Sequence, residues 1–185
     1  MKSNQQLPIF CSEFEESSNL ITEENISIGF SHLIEQDNIT DLTNLRTYTI
    51  DDERTFEIDD AISLELKEDK YTIWVHISDP SSLIPVNSDI DLKARKKASS
   101  IYLADRTIPM LPKGLVERYF SLKAGKISSA LSTSIQLDSS GNIIHSSITR
   151  SIIKPTYNLT YEEANELIDY APPQDKALSL LSRLI

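Results

Sequence analysis

Residues 49–63 read TIDDERTFEIDDAIS, and the reading of the whole chain turns on them. Six of the ten residues from Asp51 to Asp60 are carboxylates: Asp51, Asp52, Glu53, Glu57, Asp59 and Asp60. Only Arg54 offsets them locally. Crowding so many like charges between two strand-like runs costs mutual repulsion. A divalent cation removes that cost, and hard oxygen ligands suit Mg²⁺ or Mn²⁺. A calcium-binding EF-hand starting at Asp51 would need Gly at its sixth position and Glu at its twelfth; Phe56 and Ile62 stand there, so that loop is excluded. Spacing alone leaves two readings open, a plain acidic surface turn and a metal site.

The flanks of this loop read as strands. Tyr48-Thr49-Ile50 precedes it and Ala61-Ile62-Ser63-Leu64-Glu65-Leu66 comes after it. Beyond the polar turn Lys67-Glu68-Asp69-Lys70 lies the β-branched and aromatic run Tyr71 to Ile77, so residues 61–77 predict a hairpin. A second hairpin is expected from Ala130–Leu137 and Asn142–Ile153, joined at Asp138-Ser139-Ser140-Gly141, where Gly141 can supply a positive φ. Residues 89–104 have a helical composition, and Pro109 and Pro112 punctuate the stretch after them. Thr160 and Glu163 have the spacing of a capping box. The helix it opens carries Tyr161, Ala164, Leu167, Ile168 and Ala171 on one face and stops at Pro172-Pro173. Ala177, Leu180, Leu181 and Leu184 begin another amphipathic helix, unfinished at Ile185, which reads as a fragment. Residues 1–45 are polar and acidic without a clear period and are expected to form a lead-in segment.

The chain of 185 residues carries 18 basic and 28 acidic side chains, net −10, which argues against nonspecific nucleic-acid binding by the whole surface. The charge is unevenly spread: residues 93–126 hold nine basic and two acidic residues, while residues 1–92 hold five and twenty. Such a division suits a site that gathers cations on one side and phosphates on the other; a solvated basic face is the plainer reading. Cys11 is the only cysteine, which excludes an intramolecular disulfide framework and a Cys-rich zinc site. No apolar run approaches membrane-spanning length, and the first residues, with one Lys and no long apolar stretch, are not expected to act as a secretory signal. A soluble, reducing compartment is expected. His76 sits among apolar strand residues and reads as a structural histidine.

The acidic loop resembles the signature of the ribonuclease II / ribonuclease R family, the RNB catalytic domain. That family carries four acids as Asp-x5-Asp-x-Asp-Asp after a Thr-Ile pair, and Asp51, Glu57, Asp59 and Asp60 stand at the matching positions. Glu57 departs from the commoner Asp, as in the cyanobacterial and plastid branch, which the wording TIDDERTFEIDD resembles most. Further similar blocks come in order: Val75 to Pro80; Ser100-Ile101-Tyr102 with Ile108 to Leu111 and Pro112; Phe120-Ser121-Leu122; Arg150 to Ile153; and Leu159 to Glu163.

The resemblance implies a mixed α/β (α+β) fold, mainly antiparallel strands with flanking helices, over residues 46–185. It implies a 3′–5′ exoribonuclease that hydrolyses single-stranded RNA to nucleoside 5′-monophosphates with Mg²⁺, Mn²⁺ being the substitute. Asp51 and Asp60 would hold the ion on the scissile phosphate. Glu57 and Asp59 would support a second ion or the attacking water, with Asp59 the catalytic residue. Tyr102 and Tyr161 would stack on RNA bases, although Tyr161 also fits core packing on its helix. The resemblance covers about the first half of such a domain, so an incomplete catalytic domain is expected, with a second chain supplying the rest and little activity from this chain alone. The alternative is an inactive remnant that binds RNA or a protein partner through residues 93–126. The expected location is the cytoplasm or the plastid stroma, without a membrane.

Overall fold

Alternation of apolar and polar residues over the two expected hairpins builds the frame of the molecule. The computed structural model describes residues 38–67 and 70–170. The lead-in before residue 38, the hairpin tip Glu68-Asp69, and the helix expected from Ala177 lie outside the described residues.

Nine strands are seen among the described residues: β1 (Thr40–Asp41), β2 (Thr47–Asp51), β3 (Asp60–Lys67), β4 (Lys70–Ser78), β5 (Ile101–Tyr102), β6 (Thr107–Ile108), β7 (Ser128–Leu137), β8 (Ile143–Ile153) and β9 (Tyr157–Thr160). Seven form one sheet in the order β1-β8-β7-β4-β3-β2-β9, and β5 and β6 form a separate ribbon. The two hairpins, β3–β4 and β7–β8, are antiparallel and pair with each other through β4 and β7. The edge strands β1 and β9 join in parallel, to β8 and β2. The fold is therefore the mixed α/β architecture expected, dominated by antiparallel strands. Its first strand lies inside the stretch read as a lead-in, and Leu42 just beyond it is buried in the core.

Local chemistry fixes the ends of these elements. Gly141 has φ +83° in the β7–β8 turn, and the Asp138 carboxylate accepts from the Ser140 and Asn142 amides at 2.8 Å each. Among the described residues three α-helices flank the sheet: α1 (Asp89–Lys97), α2 (Lys113–Leu115, passing into a π-helical turn Val116–Phe120) and α3 (Tyr161–Tyr170). The helix expected over 89–104 is shorter. Ser88 caps its start, and Ala98 turns left-handed at φ 63° and ends it, so that Ile101-Tyr102 becomes a strand instead. The capping box forms as read: Thr160 N–H donates to Glu163 Oε2 at 2.8 Å and Glu163 N–H donates to Thr160 Oγ1 at 3.1 Å.

Two hydrophobic clusters result. Leu42, Ala61, Leu122, Ala130 and Ile153 pack on one face of the sheet, with Ile58 and Trp74 against them. Ile90, Leu111, Leu115, Val116 and Phe120 join α1 and α2, with Phe56 against them. At the sheet edge, Tyr157 stacks on Tyr48 with centroids 5.6 Å apart. Asn158 ties β9 to its surroundings through Thr49 Oγ1 at 2.6 Å and the Leu122 carbonyl at 2.9 Å.

A row of buried polar side chains crosses the sheet from β2 to β8. Thr47 bonds Ser63 at 2.8 Å, Ser63 bonds His76 Nε2 at 2.9 Å, His76 Nδ1 bonds Ser132 at 2.6 Å, and Ser132 bonds Ser151 at 2.6 Å. Both outer hydroxyls also reach carbonyls, Thr47 to Leu45 at 3.3 Å and Ser151 to Ala130 at 3.1 Å. These six links need six protons; four hydroxyls and a neutral imidazole supply five. A cationic ring would complete the row, but one hydrogen bond is worth about 1 kcal/mol and a buried charge costs several. Burial wins, and it holds the His76 pKa down to about 4.

Stability therefore depends on pH with a definite sign. Between pH 6.5 and about 4 the unfolded chain takes up a proton at this histidine that the folded chain refuses, so stability falls as pH falls. Over that window the unfolding free energy of the native chain should drop by about 3 kcal/mol more than that of His76→Gln, measured by urea titration. Parallel pH profiles would show that His76 is not held neutral.

Candidate metal centre

The acidic loop spans the gap between the end of β2 and the start of β3. Asp51 closes β2 and Asp60 opens β3, so two of the four acids are fixed by sheet pairing. Asp51 lies opposite Thr160 in the parallel β2–β9 register, and Asp60 lies opposite Ile77. This rim therefore also receives the end of β4 and the first residue of α3, Tyr161.

Glu57 and Asp59 come from the loop, which is anchored through its apolar residues. Phe56 packs into the α1–α2 cluster and Ile58 into the sheet cluster. The Lys113 ammonium lies 5.0 Å from the centre of the Phe56 ring. The Asp59 carbonyl accepts from Ser78 N–H at 2.8 Å, and the Ile58 carbonyl accepts from Leu122 N–H at 2.8 Å.

The electrostatics of the rim are those of uncompensated carboxylates. Desolvation first, then the charges of Asp60 and Asp59, push the Asp51 carboxyl above its ordinary range. Desolvation and Asp59 do the same to Glu57 and, against an opposing backbone hydrogen bond, to Asp60. Asp51 Oδ2 and Glu57 Oε2 are buried and have no hydrogen-bond partner. A buried oxygen left without a donor costs about 1–3 kcal/mol, more if charged, and a cation would recover it. The donor set thus fits a hard divalent ion. The four acids do not form a finished cage, for among the described residues no three metal-ligating side chains stand grouped around one point. A bound cation would have to draw them in.

The aromatic candidates are both accessible. Tyr102 is 74% exposed on the β5–β6 ribbon, and desolvation followed by the charges of Glu57 and Asp59 holds its phenol above the usual range. Tyr161, for which both core packing and base contact were open, is 59% exposed. In the basic segment, Lys97 is partly engaged, donating to the Pro109 carbonyl at 2.8 Å, whereas Lys96 and Lys123 are exposed. Sequence reasoning missed the groups that hold the loop: Ser78, Ser121 and the Leu122 amide. Serines carry no periodic signal, and the blocks Val75 to Pro80 and Phe120-Ser121-Leu122 contained them without marking this role.

These features belong to a known class. Residues 39–184 match the RNB domain, and the chain belongs to that family. It is 42% identical over 143 residues to an uncharacterized ribonuclease of Synechocystis, covering 77% of this chain and 22% of that protein. It is 40% identical over 143 residues to the chloroplastic/mitochondrial ribonuclease II of Arabidopsis thaliana, covering 77% of this chain and 18% of the relative. The chain thus spans about a fifth of the length of these relatives. Among solved structures it is similar to Mycoplasma genitalium RNase R in complex with ribose-methylated single-stranded RNA, with TM-score 0.69, 23% identity, and coverage of 85% of this chain and 26% of that one. It is also similar to yeast Ssd1, a pseudonuclease, with TM-score 0.70, 23% identity, and coverage of 82% and 18%. Likeness at this identity shows the fold. Among the described residues no helix is long and apolar enough to cross a membrane.

The site assignment has a direct check. The 185-residue chain should bind Mn²⁺ in calorimetry, and Asp51→Asn combined with Asp60→Asn should reduce the affinity by about 100-fold or more if these two carboxylates are ligands. Unchanged binding in the double variant would remove these residues from the site.

Proposed function

We propose that this chain is the metal-holding portion of a 3′–5′ exoribonuclease that hydrolyses single-stranded RNA to nucleoside 5′-monophosphates with Mg²⁺. The observation that carries the reading is the pair of buried, unpartnered oxygens on Asp51 and Glu57, on one rim with Asp59 and Asp60 in an RNB domain. Mg²⁺, or Mn²⁺ in its place, would supply positive charge at the scissile phosphate and a more acidic water. In this reading Asp51 and Asp60, fixed by the sheet, hold the ion against the phosphate. Glu57 and Asp59 help hold a second ion or orient the attacking water, with Asp59 the catalytic residue. Tyr102 and Tyr161 stack on bases, and because every base has a π-face the digestion is indifferent to sequence. Exposed Lys96 and Lys123 hold the phosphates of the incoming strand. A second chain, or further sequence, completes the channel, and the work is done in the cytoplasm or plastid stroma.

One observation favours a second reading. The same fold serves in Ssd1, described as a pseudonuclease, and the four acids here are not gathered into a cage. A chain that binds RNA or a protein through residues 93–126 without cutting would look alike in fold.

A chimera separates the two. Residues 39–184 of this chain should replace the matching segment of the Arabidopsis ribonuclease and preserve release of nucleoside 5′-monophosphates from single-stranded RNA. Asp59→Asn in the chimera should lower the rate by about 10³-fold or more, the scale set by losing one preorganised charge at a transition state. A folded chimera that binds RNA but does not cut it, beside an active parent, would favour the inactive remnant.

Binding tests the basic segment separately. The affinity of the chain for single-stranded RNA should fall steeply with added salt, and Lys96→Glu with Lys123→Glu should weaken it about tenfold at about 0.1 M salt. Salt-independent affinity would take the basic segment out of RNA binding.

A further inference from the structure

The hydroxyl of Ser121 bridges the backbone on either side of Glu57. It accepts from the Ile58 N–H at 3.1 Å and donates to the Phe56 carbonyl at 3.0 Å. Ser121 is only 2% exposed, so water does not compete for these groups. The serine is itself held: its neighbour Leu122 donates its N–H to the Ile58 carbonyl at 2.8 Å, and the Phe120 carbonyl accepts from Ser78 Oγ at 2.5 Å. We propose that Ser121 is a positioning residue that sets the direction of Glu57 by holding the loop open around it. This rests on the reading of Glu57 as a metal ligand.

Were the Phe56 carbonyl and the Ile58 N–H to bond each other directly, residues 56–58 would close into a tight three-residue turn, with the backbone torsions of the central residue reset. The inserted hydroxyl satisfies both groups while keeping them apart. Without it, two buried backbone groups are either orphaned or drawn together, and in both cases the carboxylate of Glu57 moves. A displacement of that kind degrades a ligand set that depends on several oxygens converging.

The test compares Ser121→Ala with Ser132→Ala, an equally buried serine in the row around His76, using the 185-residue chain. Ser121→Ala should weaken Mn²⁺ binding about tenfold and speed exchange of the Ile58 amide hydrogen about tenfold or more. Ser132→Ala should lower thermal stability while leaving both readouts within about twofold, as expected of distant, independent sites. If the alanine variant does not fold, Ser121→Cys, close in size but a weak donor and acceptor, should show the same losses. Wild-type Mn²⁺ affinity in a folded Ser121 variant would overturn the proposal. No Mn²⁺ binding by the unaltered chain would instead refute the metal reading, and Ile58 exchange would still decide whether the hydroxyl holds the loop.

Discussion

The structure depends on how one short segment is gripped. Phe56 and Ile58 alternate with Glu57 and Asp59, and each apolar residue is anchored in a different cluster, Phe56 between α1 and α2 and Ile58 against the sheet. That alternation turns a repulsive run of carboxylates into an ordered rim. Fully burying an aliphatic or aromatic side chain is worth about 1.5–3 kcal/mol, and the partly buried Phe56 and Ile58 gain a fraction of that. Two such anchors are comparable to the cost of holding several like charges close together near a surface. The acids are therefore kept together by their neighbours, and the carboxyls whose oxygens are trapped in the process, Asp51 and Glu57, respond with raised proton affinity. The two clusters meet at this loop, so together with the Ser78–Phe120 contact it ties the α1–α2 side of the molecule to the sheet.

Much of this was legible in the sequence, for physical reasons. The hairpins β3–β4 and β7–β8 arise from period-two alternation and turn residues, which are local properties. The capping box of α3 is likewise a four-residue pattern, and it forms as written. Asp51 and Asp60 could be placed at strand ends because the strands that carry them were evident on both sides of the loop. The boundary of α1 was not legible, because the residue that ends it is Ala98 in a left-handed conformation rather than the Gly or Asn that usually marks such a stop. The polar row through His76 was hidden for a different reason. His76 could be read as structural, but the rest of the row comes from four separate strands, and serines placed at 63, 132 and 151 form no pattern until the sheet order is known.

Fold and activity rest on different parts of the molecule. The fold is similar to solved structures that include both an RNase R and a protein described as a pseudonuclease. The fold positions a rim; it does not perform chemistry. What distinguishes an active rim is whether carboxylate oxygens are retained where a cation can take them and whether the backbone carrying them is fixed. Here all four acidic positions keep a carboxylate, and two oxygens are buried without donors, a cost that folding alone gives no reason to retain.

Glu57 shows why the backbone must be fixed. The commoner residue at its position is Asp, and Glu adds one methylene and one more rotatable bond. A longer arm reaches further but loses more rotamer freedom when it is ordered, a cost of up to about 2 kcal/mol for a Glu side chain. A carboxylate with that extra freedom gains most from a rigid base. The segment bearing Glu57 is held by the Phe56 and Ile58 anchors and by the Ser121 hydroxyl and Leu122 amide, and its Oε2 is enclosed rather than swinging in water. If Glu57 holds an ion as proposed, Glu in place of Asp fits such a role because the surroundings restrict the freedom that the extra methylene adds.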